Sequence, residues 1–211
     1  MLDHSVLKPE ATEQEILAGA GVVREWHVGC YCVQPCWVRA AARTLAGTDA
    51  SVASVIGFPH GTDSTEVKAR AAAIAVGNGA REIDMVQNIG ALRSGAAAEV
   101  EADIAAVVRT VPGIPVKVIL ETGVLSDEEI RLACRIARTA GAAFVKTSTG
   151  FHAAGGATPA AVRLMRSEVG PGFGVKASGG IRTLAEAIVM IDAGANRIGT
   201  SASATLLAGL D

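Results

Sequence analysis

The stretch Phe144-Val145-Lys146-Thr147-Ser148-Thr149-Gly150 has the pattern of a short strand that ends in a polar, glycine-terminated loop. Gly174-Val175-Lys176-Ala177-Ser178-Gly179-Gly180 repeats this pattern further along the chain. Between them, Thr158-Pro159 is typical of a helix start, with threonine as the N-cap and proline at the first helical position. Strand, helix and strand in this order predict a βαβ unit with parallel strands.

The same alternation of strands and helices extends along the whole chain. Capping boxes, in which glutamate follows a serine or threonine N-cap three residues later, predict helices that begin after Thr12, Ser126 and Thr183. Strands are predicted at Leu2–Leu7, Cys30–Val33, Val52–Phe58, Glu82–Val86, Val116–Glu121, Phe144–Ser148, Gly174–Ala177 and Arg197–Gly199. Such alternation favours an α/β fold, a closed (β/α)8 TIM barrel, with residues 1–211 as a single domain.

The main competing fold is an open, doubly wound sheet. Such a sheet usually carries a glycine-rich nucleotide fingerprint directly after its first strand. Gly19-Ala20-Gly21 is the nearest match, but it falls inside a predicted helix and lacks the third glycine. The pattern GxxxxGK[ST] does not occur in the sequence. The sequence therefore favours the closed barrel.

Composition and charge argue against several classes of function. The net charge is −2 and the basic residues are scattered, which argues against a nucleic-acid or anionic membrane surface. Charges interrupt every apolar stretch before about 18 residues, so no membrane span is expected. Charged residues from Asp3 onwards leave no signal peptide pattern, and we expect a cytoplasmic protein. The cysteines, which form no CxxC pair and are expected to be mostly buried free thiols, are Cys30, Cys32, Cys36 and Cys134.

Three charged residues lie where a barrel enzyme places its catalytic groups. Asp84, Lys146 and Lys176 lie on the fourth, sixth and seventh predicted strands, whose C-terminal ends form the active-site face of a barrel. Lys146 is predicted to attack a carbonyl and form a Schiff base, whose protonated imine draws electrons from the C–C bond that forms or breaks. Lys176, kept cationic, would favour the neutral amine of Lys146 by like-charge repulsion, while Asp84 would relay protons directly or through water. The alternative is structural, with both lysines in ion pairs to Asp84 and Glu121.

Two glycine-rich loops follow the last two predicted strands and indicate a phosphate site. Barrel enzymes often bind phosphate through backbone amides of these loops at a helix N-terminus, and glycine lets the backbone approach the anion closely. The alternative is that both loops are ordinary tight turns, which is our interpretation of Gly155-Gly156. The predicted phosphate-binding residues are Thr149, Gly150, Gly179, Gly180, Ile181, Arg182, Gly199, Thr200 and Ser201.

Supporting roles are expected for Asp3, Cys32 and Lys117. Asp3 lies on the first strand, where it would join the polar network, and Cys32 lies near the end of the second. Lys117 and Glu121 share a predicted strand and, by its two-residue repeat, a face, so they either line the cavity or pair with each other. Histidines and carboxylates do not cluster at metal-binding spacing, so no metal site is expected.

Motifs in order along nearly the whole chain match a known family. They are Leu2-Asp3-His4-Ser5-Val6-Leu7-Lys8-Pro9, Cys32-Val33-Gln34-Pro35, Val55-Ile56-Gly57-Phe58-Pro59, Glu82-Ile83-Asp84-Met85-Val86, Lys117-Val118-Ile119-Leu120-Glu121-Thr122, Phe144-Val145-Lys146-Thr147-Ser148-Thr149-Gly150, Lys176-Ala177-Ser178-Gly179-Gly180-Ile181-Arg182 and Arg197-Ile198-Gly199-Thr200-Ser201. On these residues the chain resembles the deoxyribose-phosphate aldolase family, which are class I, Schiff-base aldolases on a (β/α)8 barrel. The resemblance implies reversible cleavage of 2-deoxy-D-ribose 5-phosphate to D-glyceraldehyde 3-phosphate and acetaldehyde, without a metal or organic cofactor, in cytoplasmic deoxynucleoside catabolism.

The resemblance also implies roles for individual residues. Lys146 matches the family's Schiff-base lysine, Lys176 its second lysine and Asp84 its proton-relay aspartate. The glycine loops match its phosphate site. The implied partners are small phosphosugar and aldehyde substrates, with neither nucleic acid nor membrane, and the family favours a homodimer.

The chain departs from the family pattern at three places. It opens at Met1-Leu2-Asp3, where relatives usually have a short helix, so we expect an upstream start or a less well capped barrel. Ala202 stands where many members have a second serine, which removes one expected phosphate hydrogen bond. The chain ends at Leu210-Asp211 without the tyrosine-bearing tail of some members, and its only tyrosine is Tyr31. We expect a slower reaction of unchanged type.

The sequence leaves two other functions open. A phosphosugar isomerase or epimerase on the same barrel would use a carboxylate or histidine base and would not require two lysines. A catalytically weakened barrel that only binds phosphosugars is the other alternative. The intact set of Asp84, Lys146 and Lys176 weighs against it.

Overall fold

The computed structural model describes residues 1–210 and shows a closed barrel of parallel strands. The strands follow one another around the barrel in chain order, and the last strand pairs with the first. They are β1 (Leu2–Val6), β2 (Cys30–Val33), β3 (Ser51–Ile56), β4 (Glu82–Val86), β5 (Val116–Ile119), β6 (Phe144–Lys146), β7 (Gly174–Ser178) and β8 (Arg197–Thr200). The predicted TIM barrel is confirmed. The predicted domain includes Asp211, which lies outside the described residues.

Helices alternate with the strands and surround the barrel. They are α1 (Glu13–Glu25), α2 (Val38–Thr44), α3 (Thr65–Gly77), α4 (Ile89–Arg93), α5 (Ala97–Thr110), α6 (Asp127–Thr139), α7 (Pro159–Val169), α8 (Leu184–Asp192) and α9 (Ser203–Leu207). Short 3-10 helices occur at Pro35–Trp37, Thr122–Val124 and Ala208–Leu210. In the part of the chain that the structure describes, no helix has the length and apolar character needed to cross a membrane.

The predicted helix starts are confirmed. Thr12, Ser126 and Thr183 each accept a hydrogen bond from the backbone of the glutamate three residues later, and each glutamate returns one to the N-cap backbone. Thr158 caps α7, which has proline at its first position. Gly19 lies inside α1, as expected. These local signals act through backbone groups of the same turn, so sequence alone reveals them.

Two strands end earlier than predicted because a residue with positive φ follows them. β2 and β4 have the predicted bounds, whereas β5 ends at Ile119 and not at Glu121. Glu121 adopts a left-handed conformation, with φ 60° and ψ 59°, which ends the strand and cancels the two-residue repeat. β3 ends before Gly57, whose φ is +63°. The other predicted strands also differ from the observed bounds by one or two residues, at one end in β1, β6, β7 and β8 and at both ends in β3.

Two different interiors result from the alternation of side chains along each strand. The larger apolar core lies between the barrel and its helices. Inside the barrel, a small apolar cluster on the β1–β3 side consists of Leu7, Cys30, Cys32, Ala53 and Val55. Charged side chains take the place of the branched apolar residues that usually fill a barrel, and these are Asp3, Glu82, Asp84, Lys117, Lys146, Lys176 and Arg197. We call these seven residues the charged cluster.

Candidate active site

Asp84 on β4 is the centre of the charged cluster. Its carboxylate is fully buried, with Oδ1 2.7 Å from Nζ of Lys117. Its other oxygen, Oδ2, lies 2.8 Å from Nζ of Lys146 and 2.8 Å from Nζ of Lys176. Burial alone raises the pKa of Asp84, but the three ammonium groups outweigh it and hold the pKa well below its usual value. Asp84 is therefore an anion at neutral pH.

Lys176 on β7 lies between two carboxylates. Its Nζ donates to Oδ2 of Asp3 as well as to Asp84. Burial tends to lower the pKa of Lys176, but Asp3 and Asp84 more than offset this and hold the pKa well above its usual value. Asp3 is in turn held at Oδ1 by Nη1 of Arg197, at 2.9 Å. Lys176 is therefore held as a cation, as the sequence analysis expects.

Lys117 on β5 also contacts two carboxylates. Its Nζ lies 2.6 Å from Oε2 of Glu82 and donates to Asp84. The side chain is fully buried, which tends to lower the pKa of Lys117, but the negative charge of Asp84 more than offsets this and keeps the pKa above its usual value. Glu82 also accepts a hydrogen bond from Oγ of Ser51, at 2.7 Å. Lys117 thus orients Asp84 from below and stays charged.

Lys146 on β6 differs from the other two lysines in its partners. Among residues 1–210 its Nζ contacts a single carboxylate, that of Asp84, which it shares with Lys176. The charged cluster holds four cations and three carboxylates, so it carries one excess positive charge when every group is ionised. Lys146 is therefore the lysine of the cluster that takes part in the fewest ion pairs.

A cavity of about 460 Å³ opens above the charged cluster at the C-terminal ends of the strands. Lys146 and Lys176 line it, together with Asp3 and Cys32, whereas Asp84 and Lys117 lie behind the lysines. All nine predicted phosphate-binding residues also line this cavity. The structure therefore brings the predicted amine nucleophile and the predicted phosphate loops to one space.

The glycine loops of the cavity are tied to each other through Thr200. Its hydroxyl donates to the carbonyl of Ile181 at 2.7 Å and accepts from the backbone N–H of Ala202. Gly199 leaves room for Lys176, since a Cβ there would lie 3.0 Å from Cε of that lysine. The absence of a side chain at Gly199 therefore makes room for Lys176 as well as shaping the loop.

The predicted turn at Gly155-Gly156 is part of the same assembly. A Cβ on Gly156 would lie 2.1 Å from the carbonyl oxygen of Gly179, and the next residue, Ala157, donates its N–H to that carbonyl at 3.0 Å. Gly156 therefore packs directly against the first residue of a predicted phosphate loop. Interpreting Gly155-Gly156 as an ordinary turn missed this contact, because the contact joins loops of different strands.

Glu121 forms neither of the contacts that strand parity predicts. It does not pair with Lys117, which contacts Asp84 and Glu82, and it does not line the cavity. The left-handed backbone turns its carboxylate to Thr149, whose hydroxyl donates to Oε2 at 2.5 Å. The structural alternative is confirmed only in part, because both lysines pair with Asp84 but neither pairs with Glu121.

Cys32 lies close to Asp84 without the properties of a nucleophile. Its Sγ is 4.0 Å from Oδ2 of Asp84. Burial, together with the negative charge of Asp84, raises the pKa of the Cys32 thiol to about 11. The thiol is therefore protonated at neutral pH. All four cysteines are free, and three of them are buried.

Asp3, Cys30 and Glu82 come close enough together to be tested as a metal site. One potential ligand atom of each lies within 4.8 Å of the others. The carboxylates of this group already contact the ammonium groups of Lys176 and Lys117. Burial and nearby carboxylates raise the pKa of the Cys30 thiol well above its usual value, so thiolate is not available. This donor set does not fit a metal ion.

Sequence reasoning missed several residues of the site. Glu82 and Asp84 are two apart on β4, a spacing that signals a shared face, and Arg197 is the first residue of β8. At the mouth of the cavity, Lys8 and Phe151 add a cation and an aromatic ring. No local pattern marks these last two, because loops bring them to the cavity.

The chain is similar to known aldolases over almost its full length. The model of the DeoC/LacD family aldolases matches residues 1–209. A deoxyribose-phosphate aldolase of Enterococcus faecalis is 51% identical over 210 residues, which cover 99% of this chain and 95% of that protein. One from Listeria monocytogenes is 51% identical over 210 residues, covering 99% and 94%.

Solved structures agree with these sequence relatives. The tetrameric deoxyribose phosphate aldolase of Aeropyrum pernix has a TM-score of 0.91 and 33% sequence identity, with 99% of this chain and 88% of that chain covered. An aldolase named QR15 has a TM-score of 0.94 and 41% identity, with 99% and 93% covered. Because 99% of the chain is covered in both cases, the match includes the whole barrel. This chain belongs to the DeoC/LacD family of aldolases.

Proposed function

We propose that the protein is a class I aldolase that cleaves 2-deoxy-D-ribose 5-phosphate reversibly to D-glyceraldehyde 3-phosphate and acetaldehyde. The observation that carries the proposal is the position of Lys146. It lines the cavity and contacts a single carboxylate among the described residues, while Lys117 and Lys176 each contact two. Its proton is therefore the one whose loss breaks the fewest ion pairs.

The reaction begins when neutral Lys146 adds to the aldehyde carbon of the open-chain sugar. The carbinolamine takes up a proton by way of Asp84 and loses water, which gives a protonated imine. Asp84 then accepts the C3 hydroxyl proton, directly or through water, while the C2–C3 bond breaks and its electron pair moves toward the imine to form an enamine. The C3 fragment leaves as D-glyceraldehyde 3-phosphate. Protonation of the enamine at C2 and hydrolysis release acetaldehyde and restore the lysine.

Lys176 and Asp84 act as a pair in the proton steps. Oδ2 of Asp84 lies 2.8 Å from both ammonium nitrogens, so it can hold a proton in transit between Lys176 and Lys146. Asp3 and Asp84 hold Lys176 as a cation, and Lys176 shares the Oδ2 atom of Asp84 with Lys146. Lys117 keeps Asp84 in place from the opposite side.

The phosphate group is proposed to lie at the glycine loops. Gly179, Gly180 and Gly199 let the backbone come close to an anion, and Arg182 adds a positive charge at the cavity rim. Lys8, also at this cavity, is a further cation. The sugar would then extend from these loops toward Lys146.

Reductive trapping tests the assignment of Lys146. The protein is incubated with acetaldehyde, reduced with borohydride and mapped by peptide mass spectrometry. We expect a stable adduct on Lys146, absent in Lys146→Ala, and a loss of turnover of about a thousandfold or more in that variant. Lys176→Leu should keep the adduct on Lys146 but form it more slowly. An adduct on Lys176 in the unaltered protein would reverse the two roles.

Neither alternative function is favoured by the geometry. An isomerase or epimerase needs a free carboxylate or histidine base beside the substrate, but Asp3 and Asp84 are held by ammonium groups. A barrel that only binds phosphosugars would not need the buried lysines and carboxylates of the charged cluster. Turnover without any adduct would favour the first alternative, and neither turnover nor adduct would favour the second.

We also propose that the protein acts as a homodimer in the cytoplasm. Exposed apolar side chains on two helices support an association, with Val67 and Ile74 on α3 and Ile188 and Val189 on α8. Light scattering on the purified protein measures the mass in solution. A monomer over a wide concentration range would contradict the dimer.

A further inference from the structure

Glu121 is one of two non-glycine residues with positive φ among residues 1–210. The left-handed conformation favours glycine or asparagine, because a longer side chain crowds the backbone. Glu121 is also 1% exposed, and none of the ion pairs in the described part of the chain includes it. A strained, buried and acidic residue persists only where its surroundings hold it, and such residues are concentrated at functional sites.

The carboxylate of Glu121 binds one residue of the loop that follows Lys146. The backbone N–H of Thr149 donates to both carboxylate oxygens at 3.3 Å, and the Thr149 hydroxyl donates to Oε2 at 2.5 Å. The hydroxyl also accepts from the N–H of Phe151 at 3.1 Å. Both polar hydrogens of Thr149 are thus used inside the protein, so Thr149 lines the cavity without a free donor for a ligand.

The loop of residues 147–158 carries this restraint to the predicted phosphate site. Gly150 follows Thr149 with φ +81°, and a Cβ on it would lie 3.4 Å from Cα of Gly179. Gly156 and Ala157 contact the carbonyl of Gly179 from further along the same loop. The loop therefore packs against Gly179 at two points, and Glu121 fixes one end of it.

Phe151 is the next residue fixed by the same contacts. Its ring is 44% exposed, lines the cavity and meets the ring of Phe58 edge to face, with centroids 5.2 Å apart. Its N–H bond to the Thr149 hydroxyl makes its position depend on Glu121. Glu121 therefore fixes a residue of the cavity wall although its own carboxylate does not line the cavity.

We propose that Glu121 is a positioning residue for the phosphorylated substrate. Through Thr149 its carboxylate holds Gly150 and Phe151 against the cavity, and through Gly150 it supports Gly179 in the shape that receives a phosphate monoester. The proposal rests on the proposed function and deepens it. It assigns Glu121 no contact with the reacting carbons, so the chemistry at Lys146 is independent of it.

Glu121→Gln tests the role of the charge at nearly constant shape. We expect KM for 2-deoxyribose 5-phosphate to rise about tenfold, since a shifted loop loses oriented contacts. The kcat should change by less than about twofold, as should the rate of adduct formation between acetaldehyde and Lys146. KM for unphosphorylated 2-deoxyribose should rise by a smaller factor, since only the phosphorylated substrate uses Gly179. Glu99→Gln, an exposed change on α5, is the matched control.

Substitutions of Thr149 test the same contact from its other side. Thr149→Val removes the hydroxyl and should raise KM as Glu121→Gln does, and the double variant should be little worse than either single one. Thr149→Ser keeps the hydroxyl, so its KM should rise less than that of Thr149→Val. Effects that multiply in the double variant would contradict the proposed contact.

Binding of glycerol 3-phosphate, a phosphate monoester without a carbonyl, separates this proposal from the proposed reaction. Calorimetric titration should show about tenfold weaker binding to Glu121→Gln, whether or not the unaltered protein turns over the sugar. A Glu121→Gln protein with a lower melting temperature but unchanged phosphate affinity and unchanged KM would make Glu121 a purely structural residue. That result would overturn the proposal.

Discussion

Asp84 binds three ammonium groups with two oxygens, and this arrangement makes the three lysines unequal. A buried lysine with two carboxylates keeps its proton, because each close carboxylate favours the cation. Lys117 and Lys176 are in this position, while Lys146 shares its partner with Lys176. The three lysines therefore differ because Lys117 and Lys176 each contact two carboxylates, whereas Lys146 contacts one and shares it.

His4 on β1 is a buried titratable residue outside the charged cluster. Its Nδ1 lies 3.0 Å from Oγ of Ser203, at the start of α9, and its ring stacks on Tyr31. Burial lowers the pKa of His4 from 6.5 to about 4, so the folded protein holds it neutral. Ser203 is fully buried in this contact and is not one of the residues that line the cavity.

The His4 pKa predicts a loss of stability in mild acid. The unfolded chain binds the proton below pH 6.5 but the folded chain does so only near pH 4, so stability falls as the pH drops through this window. The loss should reach about 2 kcal/mol near pH 5, measured as the free energy of unfolding in urea. His4→Gln, which keeps a hydrogen-bonding group, should remove most of this dependence.

His60→Gln, at an exposed position, is the control and should keep the full dependence. The carboxylates of Asp3 and Asp84 act in a different window. Because their pKa values are lowered in the folded protein, these carboxylates stabilise the fold above about pH 4, and this stabilisation is lost only at lower pH. If the free energy of unfolding changed equally with pH near pH 5 in His4→Gln and in the unaltered protein, the assignment to His4 would be contradicted.

At the scale of elements, a buried ion pair fastens α3 to α5. Nζ of Lys68 lies 2.6 Å from Oδ2 of Asp103, and the lysine side chain is fully buried. Thr65 donates to the other oxygen of Asp103 at 2.9 Å. The stem of Lys68 packs over Gly57 at the end of β3, where a Cβ would lie 3.1 Å from Cε. One lysine thus joins two helices to a strand end.

Removal of one partner of this pair should destabilise the protein strongly. Asp103→Asn leaves the buried ammonium group without a counter-charge and should cost about 3–5 kcal/mol. For a chain of this size, that lowers the melting temperature by about 10 °C, measured by calorimetry. The double change Lys68→Met with Asp103→Leu should recover part of the loss.

The exposed pair of Arg135 and Glu168 supplies the comparison. Its atoms are 2.9 Å apart, but the arginine side chain is 52% exposed, so Arg135→Met should cost less than about 1 kcal/mol. If Asp103→Asn had as small an effect, the buried pair would not hold α3 and α5 together.

At the scale of the whole molecule, the barrel closes through contacts between its two ends. β1 pairs with β8, and the backbone N–H of Ile198 donates to the carbonyl of Met1. Asp3 of β1 also binds Lys176 and Arg197 on β7 and β8. Closure and the charged cluster therefore depend on each other, so we expect the predicted single domain to unfold as one unit.

The two tryptophans give a direct test of this cooperativity. Trp26 and Trp37 both lie in the first two βα units, so their fluorescence reports that part of the barrel, whereas far-ultraviolet circular dichroism reports all helices. The urea midpoints of the two signals should coincide within error. Separate midpoints would show that the first units unfold independently and would contradict a single cooperative domain.

Much of the fold and part of the site follow from local patterns in the sequence. The alternation of strands and helices and the caps at Thr12, Ser126 and Thr183 depend on neighbouring residues, so the sequence alone predicts the barrel. The two lysine-containing strand ends indicate an amine nucleophile for the same reason. The exact strand ends were less predictable, because one left-handed residue such as Glu121 changes them.

The sequence by itself determined the barrel, its helix starts and the residue types of the site. The tertiary structure decided which charges meet, because the register between distant strands sets the distances from Asp84 to Lys117, Lys146 and Lys176. It also turned Glu121 away from Lys117 and toward Thr149. Pairings of this kind depend on how the closed sheet packs as a whole, and no spacing along the chain records them.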